Sequence, residues 1–270
     1  MYFILLCCCA SALQIFQMSQ ADVDTYLTTL RTQQPVFGAR VIDVATRSLG
    51  TPYFDGPLGE GPGAKYDPDP LMDLTRVDCV TFIEQTIALA ASSTYKEAFD
   101  LLQKIRYKNG EIAFERRNHF MEADWIPNNA FCHSVTQDLK VPTAKVTRTI
   151  GRKKFFDLKK APELAATATD QTMELAYVPS SEAANAERNL PSPALILFIG
   201  KADWLFVVHC GLFVRADAAS DDSGKGLLYH ASSTEGKVVN TALAAPFDNS
   251  TRYLGFIAYA IDDPAAGKKP

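Results

Sequence analysis

The sequence has no excess of basic residues: 27 Lys and Arg stand against 31 Asp and Glu, a net charge of −4. A nucleic-acid surface usually needs a basic stripe or patch, so nucleic acid is not expected as a partner. The one cationic run, Arg152-Lys153-Lys154 with Lys159 and Lys160, reads as a solvated face. Long apolar runs are missing too. The run that opens the chain, within MYFILLCCCASALQIF, is too short to cross a bilayer comfortably, so no stable membrane span is expected. It has the form of a secretory signal segment over residues 1–20, with Ala10-Ser11-Ala12 as an A-x-A cleavage site but no basic residues ahead of it. A signal there implies a periplasmic or secreted bacterial protein; without one the protein is cytoplasmic.

Cysteine and histidine pairs at metal-binding spacing are absent. Of the six cysteines, Cys7, Cys8 and Cys9 lie in the opening run, leaving Cys79, Cys132 and Cys210. Three is an odd number without a disulfide-framework spacing, so at least one thiol is free. A zinc site from Cys79, His209, Cys210 and His230 has no Cys-x-x-Cys or His-x-x-x-His to support it, and the adjacent strand residues His209 and Cys210 should face opposite ways. No metal or organic cofactor is expected. No G-x-S-x-G elbow accompanies Ser232 and Ser233, which argues against a serine hydrolase.

What is present is an ordinary globular composition, 47% hydrophobic and 21% charged over 270 residues, enough for a sizeable core. The pattern predicts helices first: one over 21–35, a second ending near Gly50, a third opening at Cys79 and a fourth in TYKEAFDLLQKIRY. Val80, Ile83, Ile87 and Ala90 form a stripe at helical spacing, which predicts one buried face. Residues 51–70, rich in Gly, Pro and Asp, suggest a long ordered loop or a strand pair. NGEIAF suggests a turn into a strand, ERRNHFMEADWIPNNAFCHSVTQDL a functional loop, and PSSEAANAERNLPSP a surface loop. The last third holds ALILFIG, LFVVHCGLFV, GLLYHASS, KVVNTAL and RYLGFIAYAI, β-rich runs separated by turn signals, among them one at 221–224. The class is therefore α+β, with N-terminal helices packed on a C-terminal antiparallel sheet or small barrel. A single domain over 21–270, with an inserted loop region around 111–190, is expected.

Only four histidines occur: His119, His133, His209 and His230. His209 and His230 interrupt apolar runs that read as the two strands of one hairpin, close enough across the ladder for their rings to pair. Cys79 sits in the first turn of a helix, where either Thr75 or Asp78 can cap. In both cases the thiol meets the positive end of the helix dipole, which favours a thiolate. Cys79 as nucleophile, His209 as its proton partner and His230 fixing the imidazole is a Cys-His-polar arrangement for acyl transfer. The bland alternative is that Cys79 and Cys210 are small core residues.

DCVTFIEQTIALA, HCGLFV and LLYHASSTEGKVV, in this order, resemble the NlpC-type papain-like cell-wall cysteine peptidases. LGTPY, RNHFMEADWIPNN and AYVP bring the resemblance closest to the N-acetylmuramoyl-L-alanine amidase-like subfamily first catalogued as a domain of unknown function. It covers roughly residues 38–260. Relatives often open the strand before the catalytic-His strand with Gly-Asp; here SPALILFIG stands in that place. The resemblance implies a papain-like fold and cleavage of the amide between N-acetylmuramic acid and L-alanine in peptidoglycan fragments through a Cys thioester, with Cys79, His209 and His230 catalytic. Tyr53, Asp78, Arg117, Asn118, His119 and Trp125 are the expected substrate-binding residues. Trp125 could stack on a sugar or close the core, Arg117 could pair with a peptide carboxylate, and Asp78 could only cap the helix. Asp124, Asn128 and Asn129 share that loop, and His133 reads as a surface histidine. A γ-D-glutamyl stem-peptide endopeptidase and a non-catalytic muropeptide-binding protein remain the alternatives. A monomer acting on peptidoglycan fragments is expected.

Overall fold

Four helices carry the N-terminal half of the fold in the computed structural model, which describes residues 13–215, 226–248 and 251–266. The opening run up to residue 12 and the predicted turn at 221–224 lie outside the described residues. The helices are α1 (Gln20–Gln33), α2 (Phe37–Arg47), α3 (Cys79–Ala90) and α4 (Tyr95–Arg106). In α1, Val23, Leu27 and Leu30 recur on one face and are buried, and Ser19 caps the helix by accepting from the Asp22 amide. Thr94 caps α4 in the same way, through the Glu97 amide.

α3 departs from the predicted one-sided stripe. Every residue from Thr81 to Ala90 is buried, the polar Glu84, Gln85 and Thr86 included, because the helix packs against α2, α4 and the sheet. A helix covered on all sides must pair its polar groups internally. Glu84 does so, accepting from Arg106 Nη1 at 2.7 Å and from Trp125 Nε1 at 3.0 Å.

The strands are β1 (Cys132–Ser134), β2 (Ala144–Ile150), β3 (Gln171–Pro179), β4 (Ala194–Gly200), β5 (Val207–Val214), β6 (Leu227–Ser232), β7 (Lys237–Ala242) and β8 (Tyr253–Ile261). They pair antiparallel in the order β2-β3-β8-β4-β5-β6-β7, with β1 also on β8. The chain is α+β, helices first and an antiparallel sheet after. β4 is buried along its whole length: Leu195, Leu197 and Ile199 join the core shared with the helices, while Ala194, Ile196 and Phe198 join a smaller core on the other face. That two-sided burial explains why ALILFIG is continuously apolar.

Three local expectations give way to other conformations. NGEIAF forms no strand: Asn109 and Gly110 take positive φ (60° and 73°), a turn, and the chain runs on into a short 3-10 turn at Phe114–Arg116. The segment after it is not an irregular loop, because Met121–Trp125 winds as a π-helix. PSSEAANAERNLPSP is three short helical turns whose Ala183, Ala186 and Leu190 bury against the smaller core.

The π-helix carries Glu122, 4% exposed, with no hydrogen-bond partner among the described residues on either carboxyl oxygen. Burial lifts its pKa to about 7. In the unfolded chain the carboxyl ionises near its ordinary 4.5, so stability falls as pH rises between these values and stays lowered above. Glu122→Gln should therefore be more stable than the parent at pH 8, by up to about 3 kcal/mol. The gap should close at pH 4, as read by urea unfolding at both pH values.

Candidate active site

The N-terminus of α3, the β5–β6 hairpin and the loop after α2 meet at one cleft of about 470 Å³. Asp78, not Thr75, is the N-cap: its Oδ1 accepts from the Thr81 amide at 2.7 Å, and the Thr81 hydroxyl accepts from the Asp78 amide at 2.9 Å. Cys79 is thus the first helical residue, half-buried at the wall of the cleft. Asp78 Oδ2 also accepts from the Gly56 amide at 3.2 Å. Burial, then the Cys79 charge, raises the Asp78 carboxyl to about 6.

The two hairpin histidines pair as expected without lying directly opposite. The ladder pairs Leu212 with Tyr229, so His209 and His230 are offset along it, and Gly211 fills the space between. A Cβ at Gly211 would lie 2.9 Å from the Tyr229 carbonyl and 3.1 Å from the His230 Cβ, so glycine permits the approach. His209 Nε2 is 2.9 Å from His230 Nδ1, with the rings nearly perpendicular at 82°. The other His209 ring nitrogen is left for Cys79, whose anion the His209 side chain favours. Phe198, with ring centroids 5.3 Å apart, and Tyr253, stacked at 6.5 Å, flank the His209 ring.

Cys210 reaches the same sulfur. Its thiol and its backbone amide both act to lower the Cys79 pKa, the thiol being the largest influence. His209 and Cys210 keep the expected alternation, opposite Phe198 and Leu197 in an unbroken stretch of the ladder, and the start of α3 lies where the Cys79 sulfur feels both. With Cys210 and His209 stabilising its anion, the Cys79 thiol is held well below the ordinary thiol range, although burial opposes this. Cys210, buried beside that charge, is pushed far up; one thiol ionises and the other stays a donor. Cys210→Ala should accordingly raise the pH midpoint of Cys79 alkylation by iodoacetamide, while Cys210→Ser, which keeps a hydroxyl donor, should raise it less.

Burial and the His209 charge lower His230 to about 4, so above pH 5 its Nδ1 can accept from a His209 imidazolium. The proton of His230 then sits on Nε2, a buried atom with no partner among the described protein groups. Tyr53 is strapped beside Cys79: its amide donates to Gly236 O at 2.9 Å and the Phe54 amide to Val77 O at 3.0 Å. Burial, with the charges of Cys79, Asp55 and Asp78, pushes Tyr53 up to about 12, which keeps its hydroxyl a donor into the cleft.

The remaining expected substrate contacts are placed elsewhere. Trp125 is fully buried, closes the core and cannot stack on a ligand. Arg117 is engaged internally, its Nε 2.8 Å from Glu60 Oε1 and its Nη2 2.9 Å from Asp67 Oδ2. Asn118 donates to Ile105 O at 2.9 Å and accepts from Asn128 at 2.7 Å, while Asn129 donates to Trp125 O. Asp124 is clamped by Arg152. Only His119 of that group reaches a chamber bordering Cys79. His133 is exposed, 3.6 Å from Asp262. Sequence reasoning missed Cys210 as a partner of Cys79, and missed Glu235, Asp248 and Arg252, which line the cleft from turns with no motif of their own.

The family model for AmiA-like, N-acetylmuramoyl-L-alanine amidase-like proteins matches residues 43–251. Among solved structures, a Legionella pneumophila protein carrying the DUF1460 family domain superposes with TM-score 0.79 at 21% identity, over 92% of this chain and 95% of its own. A Bacteroides uniformis N-acetylmuramoyl-L-alanine amidase gives TM-score 0.66 at 25% identity, over 84% of this chain and 99% of its own. A Bacteroides fragilis protein provisionally named a xylanase gives 0.63 at 26%, over 80% and 99%. No curated protein matches the chain.

Proposed function

We propose, from the premise that this chain belongs to the N-acetylmuramoyl-L-alanine amidase-like family, that it is a papain-like cysteine amidase. It would cut the amide between N-acetylmuramic acid and L-alanine in soluble peptidoglycan fragments. The observation that carries this reading is the convergence of Cys79, at a helix start, with His209, and of His209 with His230 at 2.9 Å, all three on one open cleft.

The Cys79 thiolate attacks the lactyl carbonyl. The amides of the first turn of α3 point toward the developing oxyanion, and the Tyr53 hydroxyl is a second donor on that side. As the tetrahedral intermediate collapses, His209 passes the proton it took from Cys79 to the departing L-alanine amine. A water, deprotonated by His209, then releases the muramoyl acid from the thioester. His230 stays neutral throughout and holds the His209 ring in place.

Incubation with a defined disaccharide-tetrapeptide, followed by mass spectrometry, tests the assignment. Free tetrapeptide plus intact disaccharide is expected. A dipeptide-bearing sugar would make the enzyme a γ-D-glutamyl endopeptidase. A cut glycan would make it a glycosidase, and tight binding without any cleavage would make it a binding protein.

A further inference from the structure

Cys79 and His209 line two cavities, and these differ in charge. The open cleft is lined by Arg252, Glu235 and Asp248 together with Ser232, Ser233 and Thr234. On the other side of Cys79 lies a chamber of about 220 Å³ walled by Val80, Phe120, Phe155, Trp204, Leu205 and Val208. Apart from Cys79 and His209 themselves, its titratable lining groups among the described residues are the Cys210 thiol, held protonated, and His119. Burial, then the Arg117 charge, lowers His119 to about 3, and its Nε2 is 2.7 Å from Phe114 O, so it is a neutral, tethered ring.

The two halves of the proposed substrate differ in the same sense. The muramoyl half is an uncharged sugar with C–H faces, an N-acetyl methyl and a lactyl methyl. The stem peptide carries the α-carboxylate of γ-linked glutamate and the charges of a diamino acid. Charges placed in an apolar chamber without partners are costly, whereas a cleft with charges of both signs suits a zwitterionic chain.

We propose that the aromatic chamber is the sugar subsite, with Trp204 its stacking face, and that the peptide lies in the charged cleft; this rests on the amidase reading above. The indole is positioned for it. Lys154 Nζ stands 4.8 Å from the Trp204 ring centroid, and the segment seats closely on Gly151, where a Cβ would come 3.4 Å from the Trp204 Cβ. Trp204 itself is only half-buried, open to a ligand entering from the Cys79 side.

The test measures binding by calorimetry in the Cys79→Ala protein, so that no turnover intervenes. Two ligands are compared: N-acetylmuramoyl-tripeptide, and D-lactyl-tripeptide, which keeps the scissile amide and lacks the sugar. Trp204→Ala should weaken the muramoyl ligand about tenfold, ~1.4 kcal/mol, and leave the lactyl ligand unchanged; Trp204→Phe should restore most of the loss. Arg252→Gln should weaken both ligands equally. An equal Trp204→Ala loss on both ligands, or a loss confined to the lactyl ligand, overturns the sugar assignment while leaving the amidase reading intact. Failure of both ligands to bind the Cys79→Ala protein overturns both.

Discussion

Replacing Cys79 by alanine is expected to reduce amide hydrolysis by at least about 10³-fold, because the proposed thioester route has no other nucleophile to use. The expectation is specific to the sulfur. Cys79→Ser leaves an oxygen in nearly the same place, but neither the helix dipole nor the influence of Cys210 and His209 can ionise a hydroxyl near neutral pH, so serine should be almost as inactive. Cys79 occupies the first helical position while Asp78 supplies the cap, so both variants should unfold within a few degrees of the parent. The assay is release of stem peptide from a muropeptide, with thermal unfolding as the control. Activity of Cys79→Ala within tenfold of the parent would remove the nucleophile from the account.

The largest effect on stability is expected at Arg106. Its guanidinium is 4% exposed at the side chain, 2.7 Å from Glu84 Oε2, itself 3% exposed, and it also donates to Leu58 O at 3.2 Å. Glu84 holds Trp125 through its other oxygen. Arg106→Ala leaves a carboxylate buried with only the indole N–H as partner, at a cost of about 3–5 kcal/mol. Because both charges are desolvated, replacing the pair together is predicted to behave differently: Glu84→Gln with Arg106→Met should cost less than Arg106→Ala alone. Urea unfolding at pH 7 measures both. A double variant as unstable as the single one would mean that packing, and not the unpaired charge, sets the loss.

The sheet and the first four helices were legible because their signals are local. Apolar runs of strand length separated by turn residues in the last third became strands β4 to β8, and the capping chemistry before Cys79 became the start of α3. Cys79, His209 and His230 were legible because the two histidines interrupt apolar runs and Cys79 follows an acid at the start of a helix. What the sequence hid depended on packing between distant segments. Glu84 looks like a surface residue of an amphipathic helix until Arg106 and Trp125 close over it. Arg117 looks like a ligand-binding cation until Glu60 and Asp67, from a loop some fifty residues earlier, engage it. Strand alternation set His209 and Cys210 on opposite faces of β5, as the ladder has them, but gave no sign that the end of α3 would bring the Cys79 sulfur under the influence of both. The cleft residues Glu235, Asp248 and Arg252 sit in turns, where neither periodicity nor spacing marks them.

The account depends on Cys79 being a thiolate near neutral pH. Ultraviolet absorbance at the thiolate band, taken as the difference between the parent and Cys79→Ala across pH 4–8, below the range in which Cys210 and the tyrosines ionise, reads this group. The predicted result is a thiolate signal already present well below the ordinary thiol midpoint of about 8.5, moving upward in Cys210→Ala and in His209→Ala. A signal that rises only near that ordinary midpoint, and does not move in either variant, would contradict it.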